Sequence, residues 1–216
     1  METSEAGSAY PLSPQPGEEI ARGWSESKVF KHSPGWILKV TYRGWRNSEA
    51  QLAENKSDYE FFKARLGGYV PETQFIRGAD ETGKKVNIVR QREIKGKTLA
   101  DYPLEELVEN KEAMQNLSSL FKRLITMWDE DGRIPDLVGP KNPKRAILGK
   151  LLFGAYPWNT PNIMVEEGTN KVYLVDTSAS KRFQAKNAPY VYRKLSESIV
   201  KNLRNFVEKY QTAGKA

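Results

Sequence analysis

Apolar residues in the first half of the chain recur with the spacing of short strands and one helix. The pattern predicts strands at 28–30, 36–40, 73–77 and 86–92 and a helix at 47–66. Ser33-Pro34-Gly35 favours a tight turn, because proline presets φ and glycine tolerates a positive φ. Gly67-Gly68 stops the helix, and an irregular connection is predicted at 94–96. We therefore expect a small antiparallel sheet with one helix.

Helical spacing dominates the second half of the chain. Apolar residues at 104–108 and 114–128 predict helices there. A closing helix is marked at the same spacing by Val191, Leu195, Ile199, Leu203 and Phe206. Two apolar runs, 162–165 and 172–175, flank a polar segment that suits the turn of a β-hairpin. Together the two halves predict an α+β fold without internal repeats, sheet-rich first and mostly helical afterwards.

Length, charge and residue composition limit the kinds of function that this chain can have. At 216 residues the chain suffices for one domain with internal lobes. Lys and Arg total 34 against 27 acidic residues, and this net charge of +7 favours anionic partners such as nucleotides, nucleic acids or anionic membranes. The absence of cysteine excludes disulfides and thiol chemistry, and His32 alone cannot build a His-based metal cluster. Without a long apolar run or a signal-peptide pattern, we expect a cytoplasmic protein with no membrane span.

Lys39 is a charged residue inside an apolar stretch, Trp36-Ile37-Leu38-Lys39-Val40. Burying its ammonium group is costly unless an anion meets it. Glu60 on the following predicted helix can supply a carboxylate, and a lysine held in this way is directed at phosphate oxygens. The alternative is an edge-strand lysine whose stem lies on the sheet while its head group reaches solvent.

Asn162 and Asp176 flank the predicted hairpin, since Asn162 begins its first strand and Asp176 follows its second. Both side chains are therefore expected at one end of the ribbon. Mg²⁺ prefers a few hard oxygen ligands together with water and phosphate oxygens, so these residues suit a metal bound with its nucleotide. The alternative is structural, an Asn turn followed by an Asp cap.

In the order of these elements, the sequence resembles the protein-kinase-like superfamily, including its small bacterial and archaeal members, over about residues 20–210. The resemblance implies a bilobal fold, with a small antiparallel-sheet N-lobe at 19–95 and a reduced helical C-lobe at 96–210. Tails at 1–18 and 211–216 flank the lobes. The first tail is rich in Ser, Pro, Gly and Glu and is expected to be disordered.

The resemblance also implies ATP and Mg²⁺ as cofactors and assigns roles to single residues. The implied nucleotide-binding residues are Lys39, Glu60, Gly23, Ser25, Ser27 and Gln91. Lys39 contacts phosphates, and Glu60 is its helix partner, with Asp58 and Glu54 as alternatives. Gln91 begins the hinge at 91–96. Residues 22–29 take the place of the glycine-rich loop but contain a single glycine, so serine hydroxyls are expected to help hold phosphates.

The metal ligands that the resemblance implies are Asn162, as the catalytic-loop asparagine, and Asp176. The catalytic aspartate of the family stands five residues before the asparagine, where this chain has Pro157. The nearest candidate upstream is Asp136, separated from Asn162 by a basic insertion at 140–157 with the pattern of an amphipathic helix. Thr177 stands where kinases carry the phenylalanine of Asp-Phe-Gly, so we expect no phenylalanine-based switch.

Only forty residues follow Asp176, too few for the peptide-docking lobe of a typical protein kinase. We therefore expect an ATP/Mg²⁺-dependent phosphotransferase acting on a small-molecule, sugar or lipid-like acceptor, with Asp136 orienting the hydroxyl. The alternative, favoured by Pro157, is a pseudokinase that serves as a nucleotide-binding or regulatory module. A nucleic-acid-binding role is disfavoured, because it rests on net charge and the insertion without a recognition motif.

Overall fold

The computed structural model describes residues 18–22, 27–42, 47–80, 83–137, 160–177 and 190–213. Its strands are β1 (Glu19–Arg22), β2 (Ser27–Ser33), β3 (Trp36–Thr41), β4 (Thr73–Ala79), β5 (Lys85–Arg92), β6 (Gly96–Thr98), β7 (Ile163–Glu166) and β8 (Val172–Leu174). Its helices are α1 (Glu49–Leu66), α2 (Leu104–Glu109), α3 (Lys111–Asp131) and α4 (Tyr190–Ala213). The chain divides into two compact units, Met1–Ser57 with Glu72–Glu93, and Asp58–Pro71 with Ile94–Ala216.

The first unit contains a five-stranded antiparallel sheet in the order β1-β2-β3-β5-β4. β2 and β3 form the expected hairpin, and Gly35 in its turn has a φ of 79°, which residues with a Cβ rarely adopt. Val40 lies opposite Ile88, and both are buried together with Val86 on one face of the sheet. Since side chains alternate between faces, Lys39 lies on the other face.

Helix α1 begins after Ser48, whose hydroxyl accepts a hydrogen bond of 3.1 Å from the N–H of Gln51. The buried residues of the helix, Asp58, Phe62 and Leu66, are spaced by four and share one face. Gly67, with a φ of 60°, then leads into a short 3₁₀ turn. The predicted helix and its glycine stop are confirmed.

The second unit is built around α3 and α4, which pack together. The rings of Phe121 and Phe206 meet edge to face, with centroids 5.1 Å apart. A three-stranded antiparallel sheet, β6-β7-β8, lies in the same unit, and its residues Ile163 and Leu174 are fully buried in the core. Helix α3 ends at Gly132, whose φ of 64° closes the helix in the left-handed region.

The structure confirms the α+β fold class and adds two strands to the predicted elements. β1 pairs with β2, and β6 converts part of the predicted irregular connection into a strand paired with β7. α4 continues through Ala213, past the boundary predicted for the final tail. Residues 1–17 of the first tail and the insertion at 140–157 lie outside the described residues. Among the described helices, none combines the length and apolar character needed to cross a lipid bilayer.

Candidate functional site

The β7–β8 hairpin carries Asn162 and Asp176 at the same end. Its register opposes Ile163 and Leu174. One step further, the N–H of Val175 donates a 2.9 Å hydrogen bond to the carbonyl oxygen of Asn162, so pairing continues beyond the two strands. Asp176 follows directly, and both Asn162 and Asp176 are half-buried. An amide residue and a carboxylate residue therefore close the open end of the hairpin.

The side chain of Asn162 is held in one orientation. Its Nδ2 donates a hydrogen bond of 2.7 Å to the carbonyl oxygen of Asp136. Because a carbonyl only accepts hydrogen bonds, the NH₂ group must face Asp136, and Oδ1 is the end that can meet a cation. The backbone N–H of Asn162 donates to Oγ1 of Thr160 at 3.1 Å, which fixes the chain just before β7.

The segment that carries Asp136 is anchored in the second unit. It starts where Gly132 ends α3, and Ile134 and Leu137 are buried in the core. Asp136, between these two apolar residues, is half-buried. The hydrogen bond from Asn162 then ties its backbone to the hairpin. Backbone contacts thus bring together the segments that carry Asp136, Asn162 and Asp176 in the second unit. We call these three residues the cluster, and their roles as base and metal ligands stay predictions.

The donor set of this cluster fits Mg²⁺ bound together with a nucleotide. Oδ1 of Asn162 and the carboxylate of Asp176 are hard oxygens, and Mg²⁺ usually takes one or two protein carboxylates besides water and substrate phosphates. Among the described residues, no group of three or more His, Cys, Asp or Glu is placed to hold a metal ion.

Lys39 lies in β3, a central strand of the first unit's sheet. Its cross-strand neighbours are Val29 on β2 and Val89 on β5, and the residue is half-buried. The alternative is wrong in placing Lys39 on an edge strand, because β3 has a neighbour on each side, whereas a head group that reaches solvent stays a prediction. Lys39 is thus a half-buried cation on a central strand. Its contact with phosphates stays a prediction.

The three carboxylates considered as partners of Lys39 lie in different environments. Glu60 is exposed, Glu54 is half-buried and Asp58 is buried. Glu54 and Asp58, four residues apart, share the inward face of α1, whereas Glu60 is rotated away from it. Asp58 already pairs with Arg133, at 2.7 Å. These environments favour Glu54 over Glu60, and the pairing with Lys39 stays a prediction.

Gln91 is a buried residue of β5, with 4% of its surface exposed. It lies opposite Thr73, and its Nε2 donates a hydrogen bond of 3.2 Å to the Thr73 hydroxyl. The side chain is thus engaged within the sheet. The boundary between the two units follows at Glu93 and Ile94, inside the predicted hinge.

The predicted phosphate-binding loop is described only at its ends. Ser27 begins β2, where it pairs with Thr41. Gly23 and Ser25 lie outside the described residues, so their proposed contact with phosphates stays a prediction.

Two further residues, Thr160 and Arg133, make contacts close in sequence to the cluster. Thr160, 1% exposed, accepts the N–H of Asn162 at its hydroxyl and the N–H of Ala100 at its carbonyl. A hydroxyl residue two positions before an asparagine is a local turn signal that the sequence offers. Arg133 binds Asp58, and no local signal indicates this contact because 75 positions separate the two residues.

No protein-family model and no curated protein matches the chain. Among solved structures, WbdD in complex with a kinase inhibitor aligns with a TM-score of 0.42 and 13% identity over 90% of this chain. The chain spans 44% of the WbdD chain. The aminoglycoside phosphotransferase APH(4)-Ia aligns with a TM-score of 0.45 and 11% identity, over 92% of this chain and 79% of its own. An apo pseudokinase aligns with a TM-score of 0.40 and 14% identity, over 87% of this chain and 62% of its own. At these TM-scores the likeness is loose.

Proposed function

We propose that this chain is an ATP- and Mg²⁺-dependent phosphotransferase that acts on a small-molecule, sugar or lipid-like hydroxyl acceptor. The observation that supports the proposal most strongly is the 2.7 Å hydrogen bond from Asn162 to the carbonyl of Asp136, at the hairpin end that carries Asp176. It links Asn162 to the backbone of one carboxylate residue, and a second carboxylate residue follows at the same hairpin end. These are the residue types that phosphoryl transfer uses for its metal ion and its acceptor hydroxyl.

Asn162 and Asp176 supply the metal ligands in this proposal, through Oδ1 and the carboxylate. A bound Mg²⁺ neutralises charge on the phosphate oxygens and orients the phosphate tail. Lys39 supplies a cation for the phosphates from the sheet of the first unit. Its place on a central strand of the five-stranded sheet supports this role, because a regular strand holds a side chain more precisely than a loop does.

Asp136 orients the acceptor hydroxyl in this proposal. As the acceptor oxygen bonds to the γ-phosphorus, the bond to the nucleoside diphosphate breaks, and the hydroxyl proton passes to the Asp136 carboxylate. The hydrogen bond from Asn162 to the Asp136 carbonyl fixes the backbone that carries this carboxylate, which supports the proposed role. Such positioning supplies much of the barrier reduction when the chemistry asks little else of the protein.

A pseudokinase is the second candidate, because Pro157 stands where kinase-like sequences carry their catalytic aspartate. Under this alternative Asn162 and Asp176 still bind metal and nucleotide. Asp136 then acts only through its backbone carbonyl, as the acceptor for Asn162. The two candidates therefore agree on the metal ligands and differ in the role of the Asp136 carboxylate.

ADP release by variants separates the two candidates. The assay offers the full chain Mg²⁺·ATP and a panel of sugar, inositol and lipid-headgroup alcohols, with calorimetry as the measure of nucleotide binding. Asp136→Asn keeps the carbonyl, so binding should stay within about twofold while ADP release falls about 10²- to 10⁴-fold. Asp176→Asn should lose both binding and release. Glu167→Gln, on the exposed turn of the same hairpin, is the matched control.

ADP release that survives Asp136→Asn would reject Asp136 as the base. Binding of Mg²⁺·ATP without release for any acceptor would favour the pseudokinase. A parent chain that does not bind ATP in a Mg²⁺-dependent way would overturn both candidates.

A further inference from the structure

Arg133 and Asp58 form a buried ion pair that takes no direct part in the proposed chemistry. Nη2 of Arg133 lies 2.7 Å from Oδ1 of Asp58, whose side chain is 5% exposed, against 25% for Arg133. The guanidinium also lies over the ring of Phe61, 4.0 Å from its centroid. Withdrawing two charges from water is costly, so such a pair requires good geometry. It therefore holds the two segments that it joins in a defined register.

The segments joined are α1 and the stretch that leads to Asp136. Arg133 stands three residues before Asp136, and Ile134 between them is fully buried. Apolar burial fixes the depth of this stretch but is non-directional. The ion pair of Arg133 with Asp58 is directional, in contrast to apolar burial. Arg133 lies three residues before Asp136, whose carbonyl receives the Asn162 hydrogen bond.

A second arginine of the same unit, on α1, provides a comparison. Arg65 of α1 binds Glu130 at 3.0 Å and also contacts Asp131, both in the last turn of α3. The Arg65 side chain is 42% exposed and that of Glu130 is 54% exposed, so solvent screens this pair. The α3 partners of Arg65 come before Gly132 in the chain and are therefore outside the segment that leads to Asp136.

We propose that Arg133, held by Asp58, is a positioning residue for the metal site. It sets the backbone at Asp136 and, through the Asp136 carbonyl, the orientation of the Asn162 amide. Groups that hold a metal ligand by a hydrogen bond alter metal affinity without touching the metal. The part of this inference that concerns metal affinity rests on the proposed function, whereas the part that concerns the amide does not.

Two readouts on the full chain test the positioning role. One is the ¹H–¹⁵N signal pair of the Asn162 side-chain amide, assigned by its loss in Asn162→Asp, and the other is the Kd of Mg²⁺·ATP from calorimetry. Arg133→Lys keeps the charge but lacks the planar guanidinium fork. We expect it to shift the Asn162 signals, to speed their hydrogen exchange and to weaken Mg²⁺·ATP binding about tenfold or more. Arg65→Lys should change neither readout.

A double variant keeps the test valid if single substitutions unfold the chain. Asp58→Leu combined with Arg133→Met removes both charges and leaves neither buried alone. It should show the same displaced Asn162 signals in a folded protein. Unchanged Asn162 signals in both Arg133 variants would overturn the positioning role. A parent chain that fails to bind Mg²⁺·ATP would defeat the proposed function, and the Asn162 signals alone would then decide the positioning role.

Discussion

Gly96 occupies a position where the second unit has no room for a side chain. A Cβ at Gly96 would lie 1.9 Å from the carbonyl oxygen of Val165 and 2.8 Å from its carbonyl carbon. Gly96 pairs with Glu166, so β6 approaches β7 closely at this residue. The N–H of Glu167 also donates a 2.8 Å hydrogen bond to the carbonyl of Lys95. This close approach ties the start of β6 to the hairpin that carries the proposed metal ligands.

Gly96→Ala should lower the free energy of unfolding by about 1–3 kcal/mol, the usual cost of an overpacked position. The clash falls on backbone atoms, which cannot rotate away as a flexible side chain can. Urea denaturation followed by circular dichroism measures the change. Gly68→Ala is the matched control, because a Cβ at Gly68 meets nothing within 4 Å. Equal losses for the two substitutions would contradict the close approach of β6 and β7.

At the scale of elements, the first turn of α3 holds the turn of the β7–β8 hairpin. Asn110 caps α3, since its side-chain oxygen accepts the N–H of Ala113 at 3.0 Å. Its Nδ2 donates to Oδ1 of Asn170 at 2.7 Å. Asn170 has a φ of 52°, and its carbonyl accepts a 3.0 Å hydrogen bond from Asn116. The hairpin is thus fixed at its turn by α3 and at its open end by the Asp136 segment.

Substitutions at Asn110 separate helix capping from hairpin docking. Asn110→Ala loses both functions and should lower the free energy of unfolding by about 1–2 kcal/mol. Asn110→Asp keeps a capping oxygen but no longer donates to Asn170, so its loss should be smaller. Urea denaturation of the three proteins gives the order of stability. An aspartate variant as unstable as the alanine variant would show that capping contributes little.

Elements with local sequence signals are predictable here, and elements created by distant pairing are not. The turn before β3, the glycine stop after α1 and the helical spacing of α3 each act within a few residues, and the structure confirms them. β6 is a Gly-Lys-Thr tripeptide that becomes a strand only by pairing with β7, far later in the chain. β1 is a four-residue edge strand that depends on β2 in the same way.

The residues of the candidate site also divide into those indicated by local sequence signals and those brought together by distant packing. The hairpin pattern alone predicts that Asn162 and Asp176 share one end, because the register of a hairpin is set locally. Sequence leads to Asp136 only as the nearest acidic residue upstream of Asn162. The hydrogen bond between them depends on how the end of α3 packs against the hairpin. The Arg133–Asp58 contact likewise depends on packing between distant segments.

At the scale of the whole molecule, the two units differ in their cores. Among the described residues, the buried core of the first unit consists of Val40, Val86 and Ile88. The core of the second unit draws on helices α1 to α4 and on the hairpin. Asp136, Asn162 and Asp176 all belong to this second unit. The proposed metal ligands are therefore supported by the larger core, where packed elements hold ligands more precisely than isolated loops do.

Mn²⁺ in place of Mg²⁺ tests most directly whether Asn162 and Asp176 bind a metal together with a nucleotide. In the full chain with a non-hydrolysable ATP analogue, paramagnetic Mn²⁺ should broaden the NMR signals of the Asn162 side-chain amide and the Val175 N–H first. These groups lie at the hairpin end that carries the proposed ligands. Glu167→Gln should preserve the broadening, and Asp176→Asn should abolish it. Sharp Asn162 signals with saturating Mn²⁺ and nucleotide, or broadening that persists in Asp176→Asn, would contradict the proposed metal site.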